Sequence, residues 1–248
     1  MIAELRQKTV SINGKRTHIH KLKDLLIVSG MTSRQYRYLL KEIASGGDKH
    51  SKKKETLMKT ITKNFRPTAV LFGDSIIEMW YIRDSSFFAE NGYLGRGISG
   101  QTSSELLVRF RQDVIGLNPK VVVILCGIND LAGNNGYISI DDTAGNIYSM
   151  CELAKLHGIK VVLCSLLPSD HCPWNPSADF RTGVSELNSR LSAYASANKI
   201  TYIDYFSPFT DGNKGMKPGL SKDNVHPNLE MYKLMEPMLV DAIHKARK

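Results

Sequence analysis

Thr68-Ala69-Val70-Leu71-Phe72-Gly73-Asp74-Ser75-Ile76 is the stretch that decides the fold. Residues 68–72 form a short apolar run, entered through Pro67 and left through Gly73. Such a run, bounded by turn residues, reads as a buried strand. A serine just beyond that strand sits at the carboxyl edge of a sheet, and in open α/β sheets ligands bind at that edge. By itself, Gly73-Asp74-Ser75 reads equally as a helix N-cap, since Asp and Ser both cap well.

Outward from this stretch the pattern alternates strand and helix from residue 66 to the end. The spacing predicts strands near 68–72, 92–95, 120–126, 159–164 and 200–204. It predicts helices over 102–116, 141–157, 178–198 and 228–246. Lys120-Val121-Val122-Val123-Ile124-Leu125-Cys126 is almost wholly apolar, as expected of a strand covered on both faces. Gly158 supplies a stop for the 141–157 helix. The expected fold is α/β: a three-layer α/β/α sandwich on a mainly parallel, five-stranded, flavodoxin-like sheet.

Three further blocks follow the Ser75 block in order: Arg96-Gly97-Ile98-Ser99-Gly100, Gly127-Ile128-Asn129-Asp130 and Asp223-Asn224-Val225-His226-Pro227. Together the four resemble the SGNH (GDSL-type) hydrolase family, named for a Ser, a Gly, an Asn and a His. Here those residues are Ser75, Gly97, Asn129 and His226. The resemblance covers roughly residues 66–248 and implies the SGNH hydrolase fold and a serine esterase or acylhydrolase. The Gly-Gln-Thr-Ser run at 100–103 looks most like bacterial acylhydrolases related to platelet-activating-factor acetylhydrolase and to carbohydrate acetylesterases.

The residue chemistry fits that implication. A serine hydroxyl is a weak nucleophile until a base takes its proton. His226 is the candidate base and Asp223 the group that orients it; three residues apart, they share one side of a helical turn or tight loop. Gly97, whose lack of a Cβ lets its backbone come close to a substrate, Asn129 with its side-chain amide, and the Ser75 N–H are candidate oxyanion donors. Asp74 and Asp130 are read as turn-stabilising residues outside the triad. Trp80, Leu167 and Trp174 follow strands at the same sheet edge and are tentative substrate-pocket residues. No long amphipathic lid is visible, which favours short acyl esters, and the resemblance implies acetyl esters of a sugar or small lipid. A lysophospholipase or thioesterase-like acylhydrolase is the alternative.

Other chemistries fit less well. Gly95-Arg96-Gly97-Ile98-Ser99-Gly100 matches a dinucleotide fingerprint but lacks a long preceding strand. Asp170-His171-Cys172 has no metal-ligand spacing, so neither metal nor cofactor is expected. Gly97-Ile98-Ser99-Gly100-Gln101 fails the nucleophile-elbow pattern of α/β-hydrolases at its last position. The 4 cysteines form no Cys-x-x-Cys pair and read as reduced thiols.

Charge divides the chain. The net +9 comes from the front: residues 1–66 hold 16 Lys and Arg against 5 Asp and Glu, and the remainder holds 17 against 19. Residues 1–65 therefore read as a small, basic, mainly helical segment ahead of a catalytic domain at 66–248. Asn13-Gly14 signals a hairpin turn, and helices are expected from Thr32 or Ser33 to about Ala44 and from about Lys52 to Lys63. The segment could dock on an anionic surface or nucleic acid, but no groove-reading motif is present and nucleic acid is not the expected partner. No apolar run reaches 18 residues, so no membrane span is expected. Met1–Lys8 has no secretory h-region, which gives a cytoplasmic location by default, or export if the natural N-terminus differs. Oligomeric state is not legible.

Overall fold

The computed structural model describes residues 9–12, 15–18, 66–175 and 179–248. Strands β1 (Thr9–Ile12) and β2 (Lys15–His18) pair antiparallel with Ile12 opposite Lys15. The helices expected between residues 32 and 63 lie outside the described residues.

The main sheet contains β3 (Ala69–Gly73), β4 (Tyr93–Gly97), β5 (Val121–Leu125), β6 (Lys160–Cys164) and β7 (Thr201–Ile203). Their spatial order is β4-β3-β5-β6-β7 and every pair is parallel. All five residues of β3 and of β5 are buried, which is why both read as unbroken apolar runs.

Among the described residues, seven α-helices flank the sheet: α1 (Ser75–Arg83), α2 (Ser85–Asn91), α3 (Ser103–Asp113), α4 (Ile128–Leu131), α5 (Ile140–Leu156), α6 (Phe180–Ala197) and α7 (Leu229–Ala246). α1, α2 and α7 pack together on one side, and α3, α5 and α6 on the other, which makes the three layers. Side-chain caps set their starts: Asp74 accepts from Ile76 N, Ser139 from Asp142 N and Asn228 from Met231 N. Gly158, at φ 68°, follows α5 in the left-handed conformation expected of a helix stop.

The strand order reverses at β3. The chain passes from β3 to β4 on one flank, then returns across to β5 on the other. Gly73, Gly97 and Leu125 stand in one register at the carboxyl ends of these strands. The crevice at such a reversal is where an open α/β sheet binds ligands.

Candidate active site

Ser75 is the first residue of α1, directly after its cap Asp74, so the N-cap reading of this block holds. Its Oγ lies 2.8 Å from Nε2 of His226. The other ring nitrogen, Nδ1, lies 2.6 Å from Oδ2 of Asp223. The loop from Ser221 to Asn228 makes this possible. Asn224 takes a left-handed φ of 63°, which folds the chain back between the two residues. Asp223 Oδ1 then accepts from the His226 and Val225 backbone N–H groups and from Ser221 Oγ. Burial pushes the Asp223 carboxyl up, but the His226 backbone and ring bonds and the Val225 N–H outweigh it and hold the group at about 2.

The loop is braced from both sides. Ser221 Oγ lies 2.8 Å from His226 O, and Arg83 of α1 donates to Pro227 O at 2.7 Å. Asn224 Nδ2 donates to Asp170, which tethers the loop to the segment after β6.

Gly97 ends β4. A Cβ there would stand 2.2 Å from the Glu78 nitrogen and 2.6 Å from the Asp74 carbonyl oxygen. The glycine is therefore required by the approach of β4 to the first turn of α1. Glu78 on that turn accepts from the Ser99 N–H and hydroxyl, which pins the strand just past Gly97.

Asn129 lies in α4, entered through Gly127 at φ 124°. Its amide nitrogen donates to Gln101 O at 3.0 Å, and its oxygen accepts from Asn134 Nδ2 at 2.9 Å. These two bonds fix which way the amide faces. Asp130 reaches across to α3, accepting from the Ser103 N–H and hydroxyl. It ties two elements together, beyond the local turn role expected of it.

One residue unmarked in the sequence joins these parts. Arg109 of α3 donates through Nη2 to Gly73 O at 2.9 Å and to Arg96 O at 3.0 Å. Its Nε donates to the Gln101 side chain at 2.6 Å, and Nη1 to Asp113 at 2.8 Å. The guanidinium also lies 4.3 Å over the Phe72 ring. A single cation thus clamps the carboxyl ends of β3 and β4 and the residue that holds Asn129.

The three pocket expectations fare differently. Trp80 is 1 % exposed, in the core. It stacks on Tyr232 and Phe87 at 5.1 and 5.9 Å, so it lines no pocket: its position on α1 turns the ring under the helix. Leu167 is also buried, beside Asp74 and Val225, with about 10 Å³ of space next to it, room for a single water. Trp174 is 45 % exposed, with its ring 5.9 Å from that of His226 and its Nε1 donating to Asn134 Oδ1. It alone of the three stands at the mouth of the site.

Asp170 and His171 bond each other, while the buried Cys172 thiol faces Asn175 O. Among the described residues no group of three or more His, Cys, Asp or Glu is placed to hold a metal ion. All 4 cysteines are buried and unpaired.

Fold and site together define an α/β/α hydrolase with a serine at the switch point of its sheet. Residues 71–234 match the GDSL-like lipase/acylhydrolase family, and the chain belongs to that family. It is accordingly an ester hydrolase of the acylhydrolase class. A Bacteroides fragilis NCTC 9343 protein assigned as an acylhydrolase is 45 % identical, with a TM-score of 0.72 over 76 % of this chain and 95 % of that one. A GDSL-like lipase of Bacteroides thetaiotaomicron VPI-5482 is 44 % identical, with a TM-score of 0.72 over 80 % of this chain and 97 % of the other. Among curated proteins, the Bacillus subtilis (strain 168) lipoprotein YqeF is 33 % identical over 78 residues, 30 % of this chain and only 32 % of that protein. Among the described residues, no helix is long and apolar enough to cross a membrane.

Proposed function

We propose that the protein is a serine esterase that cleaves short-chain carboxylic esters, acetyl esters above all, of a sugar or small lipid through an acyl-enzyme on Ser75. The observation that carries this reading is the Ser75–His226–Asp223 relay, with contacts of 2.8 and 2.6 Å.

In the proposed cycle, Ser75 Oγ attacks the ester carbonyl as its proton passes to His226 Nε2. The charge on the former carbonyl oxygen is met by the N–H groups of Ser75 and Gly97 and by the Asn129 amide. The start of α1 adds the positive end of its dipole. His226 returns the proton to the departing alcohol, leaving the acyl group on Ser75. Water, deprotonated by His226, then attacks the acyl-enzyme, and Ser75 recovers its proton as the carboxylic acid leaves. Asp223 keeps the imidazole oriented and stabilises its charged form. The step uses only side chains and water.

Trp174 is proposed as a wall at the mouth of the site.

The test is a chain-length series of p-nitrophenyl esters on wild type and Ser75→Ala. Hydrolysis is expected for chains of two to four carbons above chains longer than about eight, with Ser75→Ala losing several orders of magnitude in kcat/KM. A variant that keeps more than about a tenth of wild-type kcat/KM contradicts the nucleophile. Faster cleavage of decanoate than of acetate contradicts the short-chain preference.

A further inference from the structure

A surface cleft of about 400 Å³ runs beside the relay, lined by Met79 and Arg83 of α1, Lys222, Asp223 and His226 of the relay loop, and Leu229 at the start of α7. Ser75, Met79 and Arg83 are spaced four residues apart, so they form one stripe along α1. The cleft therefore continues the face that carries Ser75. The axial span from Ser75 to Arg83 is about 12 Å, and the Arg83 guanidinium reaches the relay loop at Pro227 O, the residue after His226. In the cycle proposed above, His226 hands its proton to the departing alcohol. The alcohol portion of the ester must then lie on the His226 side, where this cleft opens.

The charges facing the cleft are unequal in availability. Asp223 is committed to His226, to two backbone N–H groups and to Ser221. Asp84, the carboxylate next to Arg83 in sequence, is buried and paired with Lys233. Arg83 donates from Nη1 to Pro227 O and Met79 Sδ and lies over the Tyr232 ring. Among the described residues neither Arg83 nor Lys222 has a carboxylate partner in an ion pair. Both are exposed. Met79 and the 46 % exposed Leu229 add apolar surface to the same lining. The cleft thus combines two apolar side chains with two cations free of carboxylate partners among the described residues.

We propose that this cleft is an anion subsite for the alcohol portion of the substrate: the preferred ester carries a phosphate or carboxylate group on its alcohol side, held by Arg83 and Lys222. The inference rests on the proposed ester hydrolysis at Ser75. A guanidinium offers paired donors to either oxyanion and an ammonium adds a point charge. Because both cations are solvent-exposed, the preference is modest and salt-sensitive.

The test compares matched acetyl esters on the full-length protein: 1-acetylglycerol 3-phosphate against 1-acetylglycerol, and acetylated glucuronate against acetylated glucose. At low salt the anionic member is expected to have a KM lower by about fivefold. This ratio should fall about twofold or more in Lys222→Gln, further in Arg83→Gln, and by a similar amount in about 0.5 M salt. Lys222→Gln is the sounder variant, since Arg83 also braces the loop at Pro227. A preference confined to the phosphate pair or to the carboxylate pair identifies the source of the anion. Equal KM values within both pairs, or a ratio that ignores both substitutions and salt, overturn the subsite. If the wild type cleaves none of the four esters, the hydrolysis reading fails separately. Calorimetric binding of glycerol 3-phosphate against glycerol then decides the subsite: tighter, Lys222-dependent phosphate binding supports it, and equal binding overturns it.

Discussion

Asp74 occupies an unusual position for a carboxylate. It is fully buried; Oδ1 caps α1 through Ile76 N, and Oδ2 has no hydrogen-bond partner among the described residues. Burial raises its pKa to about 7, with the nearby Asp130 charge adding to the shift and the Ile76 N–H opposing it. The sign of the linkage follows. Between the ordinary value of 3.8 and about 7 the folded state holds a proton that the unfolded state has lost. Stability therefore falls as pH rises through that window. Asn at this position keeps a capping oxygen and carries no charge. Asp74→Asn is expected to gain stability relative to wild type between pH 4.5 and 8, by at most about 4 kcal/mol. Urea unfolding of both proteins at the two pH values checks it, and a stability difference independent of pH contradicts it. At this scale the sequence exposed Ser75, Gly97, Asn129, Asp223 and His226 because their residue types carry the chemistry. It did not expose why Gly97 is glycine, because the neighbour that excludes a Cβ is a backbone 19 residues away at Glu78.

Among the elements, the five parallel strands were readable because β3 and β5 are buried on both faces and hence apolar throughout. The four long helices were readable from their spacing. α1 and α2 were not: with 9 and 7 residues, each is too short to show a helical period. That omission also misplaced Trp80, whose burial depends on where α1 turns it. Arg109 was equally hidden, since an arginine on a helix ordinarily faces water. Its bonds to Gly73 O and Arg96 O set the spacing between the ends of β3 and β4, and through Gln101 it reaches the Asn129 support. Burial lowers its pKa from the usual arginine value, opposed by Asp113, and it remains a cation. Arg109→Met removes the clamp and is expected to lower kcat by about tenfold or more with little change in KM for a small ester. Arg109→Lys, which keeps the charge but not the forked donors, should recover only part of it. A loss confined to KM, or full recovery by lysine, speaks against a positioning role.

The whole molecule joins a near-neutral family domain to a strongly basic front. Arg66 Nε bonds Asn118 O, Pro67 O accepts from Lys120 N, and Thr68 N donates to Gly92 O, so the domain is stitched to its own strands from residue 66 onward. A chain beginning at Asn64 retains all of these bonds. It is expected to fold and to keep activity on a small soluble ester within about tenfold, or about 1.4 kcal/mol in barrier. Any salt-sensitive attachment to anionic surfaces should be lost with the front segment. Circular dichroism and an ester assay on the shortened chain check this; insoluble or inactive protein beside an active full-length enzyme shows that residues 1–65 complete the catalytic domain. The division proposed here is drawn from charge, and charge without a recognisable motif names no partner for the front.

The central claim is that the acyl group passes through Ser75. Rapid quenching of the protein during turnover of p-nitrophenyl acetate, followed by intact mass measurement and peptide mapping, reads this directly. The account predicts one added acetyl group per chain, on the peptide containing Ser75, absent in Ser75→Ala and strongly diminished in His226→Ala, which lacks the base that takes the Ser75 proton. An acetyl group on another residue of the turning-over enzyme, or wild-type turnover by Ser75→Ala, would contradict it.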